Sequence, residues 1–335
     1  MKILIVGLGS MGKRRIRNLQ KLGYSDILGY DTQKIRRDES SNKYKIKTFE
    51  NIDDALRHDP KAMIISTPPN LHLKYANLAI KNNIDFFTEL NHSSTHVKQI
   101  INKIKGKKIL AVPSSTMRYH PVVKELKKLL TKKTIGKILH IQHYYGQDLK
   151  TWHPWEDYKD FFASKKETGA AKELVPFELN WLTYLFSDIF SVSAYVDKIS
   201  DLDVDIDDIY QIQIIFKNKI VCSMILDVIA NPSFRETKII GDNGVILCDF
   251  KTGIIKINNG KKWKIKETVI DKIAKGYESS TPPETIYENE IKYFLNGLKS
   301  KKSNSFSLFD ELKILQILDS IEISNKKGSR INLKK

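Results

Sequence analysis

Met1-Lys-Ile-Leu-Ile-Val-Gly-Leu-Gly-Ser-Met-Gly-Lys-Arg-Arg-Ile-Arg-Asn-Leu19 opens the chain. A short apolar run, Ile3 to Val6, stops at Gly7, Gly9 and Gly12, and an amphipathic stretch follows at once. A strand, a glycine turn and a helix in that order form the grip for a dinucleotide pyrophosphate. Gly7 permits the tight turn, Gly9 lets the backbone approach the phosphates, and Gly12 lets the helix pack on the strand. Ser10 and Met11 lie inside the same turn, where the new helix aims its N–H groups at the anion.

Asp26–Tyr30 reads as a second strand ending in Asp31, nineteen residues beyond Gly12. A carboxylate there accepts hydrogen bonds from an adenosine ribose and repels a 2′-phosphate, which favours NAD over NADP. Lys34, Arg36 and Arg37 lie just beyond and offer the opposite chemistry, so NADP stays open. Strand and helix signals then alternate up to about residue 120, with strands at Ala62–Ser66, Asp85–Thr88 and Lys108–Val112. This alternation predicts an α/β, doubly wound parallel sheet whose ligands bind beyond the carboxyl ends of its strands. Ser66-Thr67-Pro68-Pro69-Asn70-Leu71-His72 follows one such strand, a turn in position for the cofactor.

Past Pro121 the pattern changes. A Lys-rich helix, an aromatic loop at Trp152–Phe162 and a helix at about Pro176–Phe186 are followed by β-rich runs between Ser191 and Ile257. The expectation is an open, largely antiparallel sheet domain flanked by helices, closed by helices at Tyr287–Ser300 and Asp310–Lys326. The domains are accordingly set at 1–120, for the dinucleotide, and 121–335, for substrate and oligomer contacts.

The 335 residues carry a net charge of +17, but only nine of the 56 basic residues are Arg and the Lys residues are scattered. Nucleic-acid readers cluster Arg with aromatics, so the charge points instead to anionic small molecules. No apolar run approaches the roughly 18 residues of a membrane span. Cys222 and Cys248 alone make no disulfide framework, which points to a reducing, cytoplasmic setting. His92 and His96, and His140 and His143, lack the further ligands a metal needs, so no metal is expected.

The ordered set of Gly7-x-Gly-x-Met-Gly12, Thr67-Pro68-Pro69-x-x-His72, Arg118-Tyr119-His120-Pro121 and Arg235…Gly241-x-x-Gly244 resembles the glucose–fructose oxidoreductase, inositol dehydrogenase and rhizopine-catabolism (Gfo/Idh/MocA) family over essentially the whole chain. The resemblance implies an NAD(P)-dependent oxidoreductase acting on a sugar-like polyol, with Arg118 and Glu89 among the cofactor contacts. Gly146–Tyr158 looks like members from surface-polysaccharide gene sets, which implies sugar contacts at Trp152, His153, Trp155 and Tyr158. Members commonly bury the open sheet face in dimers or tetramers.

The chain departs from the family where chemistry is expected. The usual Glu-Lys-Pro, whose Lys hydrogen-bonds the reacting oxygen, is here Glu89-Leu90-Asn91. Glu178 falls where the substrate-domain His is expected, with Lys172 and Glu173 one turn upstream. If the helix from Pro176 continues, Glu178 shares an apolar face with Trp181, Leu182 and Leu185, and desolvation would raise its pKa toward neutrality. Glu178 or Glu173, aided by Lys172 or His92, is thus expected to handle the proton; these carboxylates equally suit ion pairs with Lys or Arg. Two further readings stay open: a redox-neutral sugar elimination or epimerisation using NAD transiently, and a non-catalytic dinucleotide-binding protein.

Overall fold

A computed structural model of the chain describes residues 1–153, 156–271, 283–300 and 306–333. It divides into two compact units, Met1–Thr116 with Tyr287–Leu315, and Met117–Ile286 with Gln316–Lys335.

In the first unit β1 (Ile3–Val6), α1 (Ser10–Lys21), β2 (Ile27–Tyr30), α2 (Lys34–Tyr44), β3 (Lys47–Phe49), α3 (Ile52–Leu56), β4 (Ala62–Ile65), α4 (His72–Lys81), β5 (Asp85–Thr88), α5 (Ser94–Ile104) and β6 (Ala111–Pro113) follow one another. The strands form one sheet in the order β3-β2-β1-β4-β5-β6. Every pairing is parallel. β1, β2, β4 and β5 are buried along their whole length, as strands covered on both faces must be. The order reverses direction at β1, and the crevice there, outside the strand ends, is the ligand position of such sheets. α2 escapes a sequence reading because it has no apolar stripe. Its buried residues are Arg37, Ser40 and Tyr44, and its Ile35 is exposed.

The second unit contains α6 (Pro121–Thr131), β7 (Ile138–Gly146), α7 (Leu149–Trp152), α8 (Ala170–Leu185), β8 (Ile189–Asp197), β9 (Ile209–Phe216), β10 (Val221–Asp227), β11 (Phe234–Gly241), β12 (Gly244–Asp249), β13 (Ile254–Asn258) and β14 (Trp263–Glu267). Its sheet runs β14-β13-β12-β11-β7-β10-β9-β8, extended at its last edge by the two-residue β15 (Ile331–Asn332). All neighbours are antiparallel except β7 and β10. Alternation on β7 and β11 sends Ile141, His143, Tyr145, Arg235, Thr237 and Ile239 to the buried face and leaves Gln142, Glu236 and Lys238 exposed.

Two helices close the chain, α9 (Glu284–Ser300) and α10 (Leu308–Lys327). Residues 287–315 belong to the first unit, although the sequence reading placed them with the second domain. The reason is apolar: Ile291, Phe294 and Leu295 join the core built by β1, β4, β5 and α1, with Phe294 5.8 Å from the ring of Phe87. α8 also differs from expectation. It begins at Ala170, so Pro176 lies inside the helix and not in its first turn, and Lys172 and Glu173 are helical. The small residues Ala170 and Ala171 pack fully buried and carry the helix back past the proline.

Candidate functional site

The glycine turn is shaped by lack of space. Gly7 has φ +92°, and a Cβ there would lie 2.6 Å from the Ser66 carbonyl oxygen. A Cβ on Gly12 would lie 1.8 Å from the carbonyl oxygen of Gly7. α1 is capped by Gly9, which brings no side chain, and a helix N-terminus of this kind suits an anion. A cradle at a helix N-terminus whose Gly7 and Gly12 have no room for a Cβ fits a dinucleotide pyrophosphate. Asp31, at the end of β2, accepts hydrogen bonds from the backbone N–H groups of Leu8 (2.7 Å) and Gln33 (2.8 Å), and so ties the turn to the second strand.

The turn after β4 is braced from below. His72 is buried, with Nε2 2.8 Å from the Thr67 carbonyl oxygen and Nδ1 3.1 Å from the Asn91 side chain. It therefore holds Thr67, Pro68 and Pro69 in place and is not itself presented to a ligand. Burial lowers its pKa, which favours the neutral ring. Asn91, where the family has Pro, uses the N–H that proline lacks: its backbone N–H donates to Glu311 (3.1 Å), as does its side-chain amide. Burial pushes the Glu311 carboxyl up to about 7 despite those bonds. A carboxyl with a raised folded pKa contributes stability that is complete below about pH 4.5 and is lost as pH rises through about 7. Glu311→Gln is expected to match the parent at pH 5 and to exceed it by about 2 kcal/mol at pH 8 in urea unfolding; equal stability at both pH values would refute this.

Glu89 is held differently. Arg15 of α1 clamps it with Nε and Nη2, each at 2.7 Å, and Ser66 donates to it at 3.2 Å. The same Arg15 Nη2 reaches Glu290 of α9 at 2.8 Å, and Glu290 accepts from Ser114, Ser115 and Thr116 beyond β6. One fully buried guanidinium thus joins the segments after β4, β5 and β6. Sequence reading missed Arg15 and Glu290; the one signal was an Arg one helical turn past Gly12, on the face turned to the sheet. Leu90 and His92 follow Glu89 on the same loop, both half-buried.

In the second unit Glu178 is completely buried against the sheet. It lies 3.1 Å from Arg235 Nη2 and 3.0 Å from His143 Nε2, and accepts a 2.6 Å hydrogen bond from Trp181 Nε1. His143 Nδ1 is 2.8 Å from the Thr237 hydroxyl, and Arg235 lies 3.7 Å over the ring of Tyr145. The expectation of a raised pKa is corrected here. Burial alone would raise it, but Arg235, His143 and Trp181 together hold the carboxyl below the usual carboxylate range. Glu178 is thus a charged partner in a sealed network, poorly suited to exchange protons with a substrate.

Lys172 and Glu173, in the first turn of α8, are half-buried, and Lys172 pairs with Glu322 at 2.6 Å. Arg118 donates from Nε to the Asn180 side chain at 2.7 Å and lies 4.8 Å over Tyr184. Trp152 and His153 pack on Phe161, with centroids 6.1 and 4.5 Å away, and His153 pairs with Glu156. Tyr158 accepts from the Asp203 N–H at 3.4 Å. Trp155 lies outside the described residues.

A parallel dinucleotide sheet joined to a large, mostly antiparallel sheet defines a two-unit oxidoreductase, and the comparisons agree. Residues 1–108 match the description "Oxidoreductase family, NAD-binding Rossmann fold" and residues 123–247 match "GFO/IDH/MocA C-terminal domain". The chain belongs to the Gfo/Idh/MocA family of NAD-dependent oxidoreductases. Over 234 residues it is 23% identical to a glucose-6-phosphate 3-dehydrogenase of Bacillus subtilis, covering 67% of each chain. Its fold is similar to a levoglucosan dehydrogenase solved with NADH (TM-score 0.84, 18% identity, 100% of this chain and 99% of that one). It is also similar to myo-inositol 2-dehydrogenase from Lactobacillus plantarum (TM-score 0.81, 17% identity, the same coverage).

Proposed function

We propose that this protein is an NAD-dependent dehydrogenase or reductase acting on a carbinol carbon of a sugar, sugar phosphate or nucleotide sugar, in the making of cell-surface polysaccharide. The glycine turn, with Asp31 fixed at the end of β2, carries the reading. The net charge of +17 favours an anionic substrate, and the aromatic segment around Trp152 and His153 supports sugar stacking. Two buried, unpaired thiols, Cys222 and Cys248, suit the cytoplasm. No helix among the described residues is long and apolar enough to cross a membrane. A homodimer or homotetramer is proposed through the open face of the second sheet, where Tyr195 and Val221 are exposed.

Bound NAD supplies a two-electron acceptor for the hydride leaving the carbinol carbon. The hydroxyl proton must go to the protein as the C=O bond forms. Since Leu90 has no proton to exchange and Glu178 is sealed, that role is assigned to Glu173 in oxidation. Lys172, paired with Glu322, serves as donor in reduction, and His92 is the remaining candidate on the first unit's loop. Titrating the protein with NAD and a panel of glucose 6-phosphate, nucleotide sugars and inositol should give a rise in nicotinamide absorbance with at least one compound. Glu173→Gln or Lys172→Met should then lower kcat by about 100-fold while leaving the NADH Kd within about threefold. Leu90 also favours a second reading, a redox-neutral elimination or epimerisation, revealed by product formation with no net absorbance change. NADH binding without product from any substrate would overturn both.

A further inference from the structure

Three cations follow Asp31, and the fold employs two of them. Lys34 pairs with Asp38 at 2.8 Å. Arg37 donates to the carbonyl oxygens of Asp31 and Thr32 and pairs with Glu50, so it pins the strand end and is unavailable to a phosphate. Arg36 is different. It lies 3.8 Å from Asp31 Oδ2, beyond hydrogen-bond reach, and its side chain is 38% exposed. Its guanidinium lies 3.7 Å from where a Cβ on Gly9 would stand, directly over the phosphate turn.

Asp31, the group that should repel a 2′-phosphate, is the reverse. Its Oδ2 accepts from Leu8 N–H and its Oδ1 from Gln33 N–H, and its side chain is 6% exposed. Two amides and a nearby guanidinium offset its charge, and little of it faces outward. An Arg fork with unused donors beside a neutralised carboxylate meets a phosphate bidentately.

We propose that Arg36 is a specificity-determining residue that gives the coenzyme site a 2′-phosphate contact, so that the protein binds NADP(H) comparably to NAD(H). This rests on the dinucleotide reading and adds to it the identity of the second coenzyme. NADH and NADPH are titrated separately onto the purified full-length protein and followed by quenching of its tryptophan fluorescence, a readout independent of turnover. The expected result is two Kd values within about tenfold of each other. Arg36→Gln should weaken NADPH by about tenfold or more and NADH by less than about threefold, with Arg36→Lys between. Added salt should weaken NADPH more than NADH in the parent and equally in Arg36→Gln. NADH binding with NADPH more than about tenfold weaker, or equal loss of both in Arg36→Gln, would overturn the proposal and leave NAD binding intact. Binding of neither would remove the dinucleotide reading as well.

Discussion

Arg15→Met should destabilise the protein by about 3–5 kcal/mol at pH 7.5, measured by urea unfolding. The guanidinium is fully buried and is the shared cation of Glu89 and Glu290. Removing it leaves two carboxylates facing one another in a site already costly to charge. Burial raises the Glu290 pKa even with Arg15 present, and the nearby Glu89 adds to that rise. In the variant the Glu290 pKa should lie higher still, since Arg15 is the cation that lowers it. Groups with raised folded pKa values give stability that is present at low pH and lost as pH rises, so the deficit should shrink toward pH 5. Adding Glu290→Gln should recover part of the loss at pH 7.5. Arg15→Lys should recover little, because one ammonium cannot supply the Nε and Nη2 contacts to Glu89 and the Nη2 contact to Glu290 at once. A loss under about 1 kcal/mol for Arg15→Met would show that the network carries no net stability.

Much of the first unit was legible because its signals are local. Gly7, Gly9 and Gly12 lie within six residues, and each is required by a contact or a helix start that the same short segment supplies. β1 and β4 are uninterrupted apolar runs, and the Thr67-Pro68-Pro69 turn announces itself by its prolines. What could not be read was set by partners far off in the chain. Nothing near Arg15 points to Glu290, and nothing near Asn91 points to Glu311. α2 was silent because its contribution is polar: Arg37 bonding two carbonyl oxygens takes the place of an apolar stripe. The helices expected at Tyr287–Ser300 and Asp310–Lys326 are present, but a helix pattern does not name the core it joins.

The site shows the same limit more sharply. Glu178 was rightly placed on an apolar helix face, and the direction of its pKa was then misjudged. An ion pair with Lys or Arg was open as well, but the sequence around Glu178 does not name its partner, because the opposing charge of Arg235 sits on β11, in a different part of the chain. In Asp31 and Arg36 the limit ran the other way. The residue types were read, but which oxygen or nitrogen was already engaged decided their chemistry, and only the hydrogen bonds of Leu8 and Gln33 disclose that.

Arg235→Met should cost about 3–5 kcal/mol as well, through the second unit. It leaves Glu178, 0% exposed, with only His143 and Trp181 to balance a full charge. In the parent protein the Glu178 pKa is depressed, so its linked stability is present above about pH 4.5 and is lost as pH falls through the lower folded value. Without Arg235 the burial effect is left less opposed, the folded pKa should rise above the unfolded one, and the sign reverses: the variant should lose stability as pH rises from about 5 to 8. The double variant Glu178→Leu with Arg235→Met removes both charges and refills their space with apolar atoms, and should lie within about 2 kcal/mol of the parent. Unfolding of the parent, Arg235→Met, Glu178→Leu and the double variant at pH 5 and pH 8 closes the cycle. Equal losses for Arg235→Met at both pH values would mean that removing Arg235 does not bring the Glu178 pKa into that window, and would refute the reversal of sign.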